Sequence, residues 1–109
     1  MISSDVIVVG GGPAGASCAW ALRKQGREVV ILERKPFPRT KSCAGWITPS
    51  TCRDLGFEPG EYPFGMLDLR RIEVNAFGRR FTLPTRQYSI RRSEFDAWLL
   101  KRAGVPVYT

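Results

Sequence analysis

Asp5-Val6-Ile7-Val8-Val9-Gly10-Gly11-Gly12-Pro13-Ala14-Gly15 is the stretch that decides the fold, and Glu33 completes it. Asp5 to Val9 is a β-branched apolar run, the pattern of a strand buried in a parallel sheet. It runs directly into Gly10-x-Gly12-x-x-Gly15. Pro13 through Gln25 then carries Ala14, Ala16, Ala19, Ala21 and Leu22, small apolar residues suited to a helix lying close on a sheet. Pro13 fits the first helical turn, where a missing N–H costs little, and Gly26 fits the helix stop. Arg27 to Glu33 contains Val29-Val30-Ile31-Leu32, a second buried strand. Residues 1–33 therefore read as a βαβ unit.

Each glycine in this turn has a mechanical reason. Gly10 permits the tight exit from the strand, Gly12 lets a pyrophosphate approach the backbone, and Gly15 lets the helix pack on the sheet. The helix start offers free N–H groups and partial positive charge to phosphates. Glu33 lies 18 residues after Gly15, close to the roughly 20 expected of a carboxylate that binds ribose. Two plainer readings stand beside this one: a glycine-rich turn that only joins strand to helix, and Glu33 as an ordinary surface acid. Strand, helix and terminal acid together favour the dinucleotide reading. An acid at position 33 argues against a 2′-phosphate, but it does not separate FAD from NAD.

Downstream, Arg34 to Ile47 holds Pro36, Pro38 and Gly45 with no apolar period, and reads as an extended functional loop. Thr48-Pro49 opens a short helix over Ser50–Leu55, stopped by Gly56, and 57–65 is a Pro- and Gly-rich connection. Two strand-like runs, Leu67–Phe77 and Arg80–Ile90, flank the turn signal Asn75-Ala76-Phe77-Gly78 and form a hairpin over 67–90. Ser93 reads as an N-cap with Asp96 as an imperfect capping-box partner. Phe95, Trp98 and Leu99 follow at helical spacing as core positions, in a helix over 93–103. Val105 to Tyr108 begins another strand, inside which the sequence stops. The expected fold class is α/β: a Rossmann-like βαβ dinucleotide-binding domain with an inserted β-hairpin, incomplete at 109 residues, with the substrate domain absent; the motifs quoted below make that dinucleotide FAD.

Composition is that of an ordinary globular domain, 43% hydrophobic and 25% charged. Seventeen Lys and Arg against ten Asp and Glu give a net charge of +7. The basic residues are scattered pairs such as Arg23-Lys24, Arg70-Arg71 and Arg79-Arg80 rather than a block. No aromatic-basic platform or reading motif accompanies them, so a nucleic-acid partner is not expected. There is no His to act as base or ligand, and Cys18, Cys43 and Cys52 lack zinc-site spacing. The cysteine usage and the lack of a signal peptide point to a reducing, cytoplasmic setting. Val6 to Val9 is far too short to span a bilayer, so any membrane contact would be peripheral.

Phe37-Pro38-Arg39-Thr40-Lys41-Ser42-Cys43-Ala44-Gly45 and, later, Arg92-Ser93-Glu94-Phe95-Asp96-Ala97-Trp98-Leu99 carry a resemblance. In their order after the fingerprint they resemble the geranylgeranyl reductase family of FAD-dependent oxidoreductases, within the flavoprotein hydroxylase-like class. The resemblance covers most of this sequence and only the N-terminal part of a full domain arrangement. Where the family often has two glycines after the cysteine, this chain has Ala44-Gly45.

The resemblance implies that FAD lies across the fingerprint residues Gly10, Gly12, Pro13, Ala14 and Gly15, with Ala14 and Gly15 on the pyrophosphate. Glu33 would hold the ribose. Cys43, Ala44 and Gly45 would line the flavin, and Arg92 would reach the phosphate or ribose region. Arg34, Arg39 and Lys41 supply cationic character beside a diphosphate, although Lys41 reads equally well as a solvated loop charge. Cys43 reads either as a thiol of lowered pKa with a modulating role beside the ring or as a small semi-buried filler. Cys18 and Cys52 read as packing residues. Trp46 reads first as a packing aromatic, and otherwise as a cover for the flavin or a lipid pocket.

The implied activity is reduction of carbon–carbon double bonds in an isoprenoid chain, with the hard chemistry residing in FAD. The substrate would be an apolar isoprenoid molecule, and the electrons would come from NADPH, NADH or ferredoxin. An FAD-dependent monooxygenase or halogenase is the second reading, because these share the fingerprint. A truncated, non-catalytic fragment is the third, because the Gly-Asp pair usual near the ribityl chain is absent.

Overall fold

The computed structural model describes residues 1–109. The chain divides into two compact units, one formed by Met1–Lys41 with Arg92–Thr109 and the other by Ser42–Arg91.

The first unit is the expected α/β layer. Strands β1 (Val6–Val9), β2 (Val29–Leu32) and β6 (Val107–Tyr108) form a parallel sheet in the order β1-β2-β6. Register pairs Val6 with Val29, Val9 with Leu32 and Ile31 with Val107. Helix α1 (Pro13–Lys24) joins β1 to β2, and α3 (Arg92–Ala103) precedes β6.

Both helices press on one face of this sheet. Ala19, Val29, Ile31 and Ala103 are fully buried there, with Val6, Val8, Leu22 and Leu100 packed around them. Small residues at 16 and 19 let α1 lie close, as the sequence predicts. Between the helices, the Arg102 guanidinium carbon lies 4.1 Å from the centre of the Trp20 ring, a cation–π contact that ties α3 to α1.

The strands differ from expectation in one respect. They read as buried on both faces, yet Ile7 is 60% and Val9 83% exposed. Period-2 geometry puts these two on the face opposite the helices, and no helix of this chain covers it.

The second unit holds β3 (Trp46–Ile47), α2 (Pro49–Asp54), β4 (Leu67–Ala76) and β5 (Arg79–Ser89), with the antiparallel order β3-β5-β4. Strands β4 and β5 are the expected hairpin, closed by Phe77-Gly78 with positive φ at both residues. The register pairs Val74 with Phe81 and Ile72 with Leu83. It slips between Leu69 and Arg71, so that Thr85 and Arg86 face the single residue Arg70. Pro84 stands at the edge of that irregularity, a kind of place where strands accept proline. Cys52, Phe57, Tyr62, Tyr88 and Ile90 are buried in this unit.

Three local expectations are corrected. Residues 46–47, read as the end of a loop, form β3 against Ser89 and Tyr88; two residues carry too little pattern to announce a strand. The 57–65 connection contains a short 3₁₀ turn at Pro59–Glu61. Helix α3 starts at Arg92 rather than after a Ser93 cap, and Asp96 pairs with Arg92 one turn back. No helix is long and apolar enough to cross a membrane.

Candidate functional site

The geometry of the glycine turn matches its mechanical reading. Gly10 has φ +100°, a left-handed conformation in which a side chain is strained. A Cβ on Gly15 would overlap the Gly10 carbonyl oxygen and stand 3.2 Å from Val8 Cγ1. Helix α1 can leave β1 at this angle only because residue 15 has no side chain.

The start of α1 is open. Gly12 occupies the N-cap with no side-chain capping bond, Pro13 holds the first position, and the first turn has no acidic residue. The first intrahelical bond runs from Ala16 N–H to Gly12 C=O. The amides of Ala14 and Gly15 precede it, so they have no partner within the helix and carry the positive end of its dipole. A cleft of about 390 Å³ opens beside this turn, with Gly10, Gly12, Glu33, Arg34, Arg39 and Lys41 on its walls.

Glu33 is buried at the end of β2. Its Oε2 accepts a 2.6 Å hydrogen bond from Gly11 N–H, and its Oε1 accepts one of 3.0 Å from Lys35 N–H. The carboxylate thus fixes the glycine turn to the second strand. The Gly11 bond is the main reason that its pKa lies below the ordinary carboxylate value. Burial opposes that shift, while the Lys35 amide, the Arg39 charge and the Arg34 amide add to it. The two oxygens together have about four lone-pair sites, so capacity for a ribose hydroxyl remains beside the backbone amides.

Arg39 is the best-anchored cation on the cleft wall. Its guanidinium carbon lies 4.5 Å from the centre of the Phe37 ring, and Nη2 is 3.5 Å from where a Cβ on Gly12 would stand. Nη1 is 3.9 Å from Asp96 Oδ2. Asp96 is 0% exposed and also takes a forked pair from Arg92, Nε to Oδ1 at 2.8 Å and Nη2 to Oδ2 at 3.1 Å. Arg34 and Lys41 are exposed at the cleft.

Of the residues singled out in the sequence, Gly10, Gly12, Pro13, Ala14, Gly15, Glu33, Arg34, Arg39 and Arg92 belong to the first unit, whereas Cys43, Ala44 and Gly45 belong to the second. Cys43 is exposed rather than semi-buried, and its Sγ accepts the Gly45 N–H at 3.4 Å. Ala44 is exposed. Gly45 has φ +74°, and a Cβ there would overlap the Ile90 carbonyl oxygen, so this glycine serves a close backbone approach within its own unit. Its carbonyl accepts the Ile90 N–H at 2.9 Å. Cys18 is exposed and not the packing residue expected, while Cys52 is buried. Trp46 is exposed, which rules out the packing role within this chain. Asp96 was read only as a cap partner; the opposite charges of Arg92 and Asp96 at i,i+4 were the available signal for its ion pair.

An open helix start, a buried carboxylate 18 residues beyond the last glycine and a fixed guanidinium suit the diphosphate and ribose of a dinucleotide such as FAD.

Known proteins extend this picture. The sequence matches the family described as FAD dependent oxidoreductase over residues 5–105. Menaquinone reductase of Mycobacterium tuberculosis is 48% identical over 110 residues, covering 93% of this chain and 27% of that protein. Digeranylgeranylglycerophospholipid reductase 2 of Methanopyrus kandleri is 38% identical over 100 residues, covering 91% of this chain and 25% of that protein. Among solved structures, the myxobacterial chondrochloren halogenase CndH, a variant of FAD-dependent halogenases, aligns with a TM-score of 0.80 at 28% identity, over 95% of this chain and 28% of that one. The chain spans about a quarter of the length of the curated relatives it matches.

Proposed function

This chain belongs to the FAD-dependent oxidoreductase family, and from that premise we propose that it forms the nucleotide-holding part of a flavin reductase acting on carbon–carbon double bonds of an isoprenoid molecule. The observation that carries the nucleotide half is the cleft in which Glu33, bonded to Gly11, and Arg39, poised beside Gly12, flank the open start of α1. The names of the relatives support the substrate half: one is a reductase of a digeranylgeranyl lipid and another a menaquinone reductase.

In this reading the amides of Ala14 and Gly15 donate to the diphosphate, with Arg39 and Arg34 balancing its charge. Arg92 acts beside them, its fork held by Asp96. Glu33 accepts from a ribose hydroxyl with its remaining lone pairs. Gly10, Gly12 and Pro13 shape the turn so that nothing bulky stands between ligand and backbone. Cys43, with Ala44 and Gly45, is the stretch proposed to lie along the flavin, where an exposed thiol modulates rather than performs proton transfer. Bound FAD supplies the hydride chemistry; the residues of this chain supply position and charge. The electrons come from NADPH, NADH or ferredoxin, and an isoprenoid lipid brings the protein to the membrane surface from the cytoplasm.

The test uses the native protein purified from the cell that makes it, chemically reduced without oxygen and mixed with a geranylgeranyl lipid. A product heavier by two hydrogens per reduced double bond is expected. The likeness to CndH favours one alternative, oxygen-dependent monooxygenation or halogenation. A product that forms only with oxygen present, the lipid staying unsaturated, selects that alternative and rejects the reductase.

A further inference from the structure

We propose that Asp96 is a positioning residue for the diphosphate of the nucleotide, acting through Arg39. The inference rests on the FAD reading above, in which Asp96 only holds Arg92, and adds its action on Arg39. The Phe37-Pro38-Arg39 motif and the Arg92-to-Leu99 motif lie more than fifty residues apart in sequence, and Asp96 is the atom-level link between them. Its carboxylate is fully buried on α3. It takes the Arg92 fork at 2.8 and 3.1 Å and faces Arg39 Nη1 at 3.9 Å.

Two features give that arrangement a direction. The first is charge. One carboxylate faces two guanidinium groups, and Arg cannot lose its proton, so these three groups together carry one excess positive charge. A buried carboxylate is tolerable only when paired, and here the pairing leaves cationic character on the cleft side. The second is aim. Asp96 draws on Nη1 of Arg39, while Nη2 of the same planar group points at the space over Gly12. The guanidinium carbon also lies 4.5 Å from the centre of the Phe37 ring, a cation–π contact that favours this placement. With one nitrogen drawn toward Asp96 by the ion pair and the guanidinium set over the Phe37 ring, the remaining nitrogen is presented where a phosphate at the start of α1 would sit. Preorganisation of this kind saves the entropy of ordering a long side chain on binding.

The Arg92–Asp96 pair is at i,i+4 on one helix, so it forms as α3 forms. The Arg39 contact is different in kind, because it fixes a loop cation from outside the loop. Asp96 therefore joins two motifs that local sequence cannot connect.

The test is binding of ADP and of adenosine to the protein after its bound nucleotide has been removed and circular dichroism has shown the fold retained, read by calorimetry, in the wild type and in Asp96→Asn, Arg39→Met and the double variant. The wild type should prefer ADP. Asp96→Asn should weaken ADP about tenfold, as expected for one charge-assisted contact, and leave adenosine within about twofold. In the Arg39→Met background, Asp96→Asn should cause no further loss of ADP affinity. Equal weakening of ADP and adenosine, or the same loss with and without Arg39, overturns the proposal and makes Asp96 a fold residue only. A wild type that binds no ADP, or binds it no better than adenosine, overturns the diphosphate reading and this inference with it. If circular dichroism shows Asp96→Asn unfolded, Asp96→Glu, which keeps the charge and shifts it by one methylene, is run through the same cycle. It should show a smaller ADP-selective loss that again vanishes without Arg39.

Discussion

Gly15→Ala is expected to abolish nucleotide binding and to unfold the first unit. The added methyl carbon would overlap the Gly10 carbonyl oxygen and press to 3.0 Å on the Gly10 carbonyl carbon and 3.2 Å on Val8 Cγ1. The Gly10 carbonyl is backbone and cannot swing aside as a flexible side-chain end could. Relief would require α1 to lift from the sheet, which would open the buried cluster of Ala19, Val29, Ile31 and Ala103. Ala is intrinsically the better helix former by ~1 kcal/mol, so a rise in stability would be expected if the site were an ordinary helical position. The clash reverses that sign. A loss of at least ~4 kcal/mol is expected, a large share of the ~5–15 kcal/mol that a domain of ordinary stability has. Far-ultraviolet circular dichroism with thermal melting would show it as a missing or strongly lowered transition.

Glu33→Ala should produce the second large effect. It removes the acceptor of the buried Gly11 N–H bond and of the Lys35 N–H bond. Lys35 is exposed, so water can replace its partner, but stranding the Gly11 amide costs ~1–3 kcal/mol. The turn then loses its tie to β2, and a ribose loses its carboxylate. Lowered Tm and lost nucleotide binding should appear together.

The same bond makes a pH prediction whose sign is fixed. The folded carboxyl has a pKa below its ordinary value, chiefly through the Gly11 bond. Its contribution to stability is therefore complete above the unfolded value of about 4.3. It is lost as pH falls through the lower folded value, because the unfolded chain binds the proton first. Melting curves of the wild type and Glu33→Gln, taken from neutral to acid pH, should converge below that window. Curves that stay parallel through it would show that the carboxylate has no role in fixing the turn.

The βαβ unit was legible because its signals are local. An apolar run, three glycines at fixed spacing, alanines on one helix side and a terminal acid each constrain the backbone within a few residues. The hairpin was legible for the same reason, through its turn dipeptide and alternating strands. What the sequence hid depends on tertiary contact. Strand β3 exists because Trp46 and Ile47 meet Ser89 and Tyr88 across forty residues. The exposure of Val9 follows from both helices packing on one face, which no strand pattern reports. The resemblance places Gly45 along the flavin, and the structure adds a second demand on it, the backbone of Ile90 as a neighbour. Asp96 looked like a helix cap because its partner Arg39 belongs to a distant loop. In the site, the residue types were readable from the motifs, while the pairings between them were not.

The most direct measurement is the identity of the nucleotide carried by the native protein. The protein would be purified without added cofactor and denatured, and the released small molecule identified by absorbance and mass. FAD at close to one per chain is the result this account requires, since the glycine turn, Glu33 and Arg39 are assigned to its ADP half. Release of NAD or NADP in that amount, or no nucleotide together with no uptake of added FAD, would contradict it.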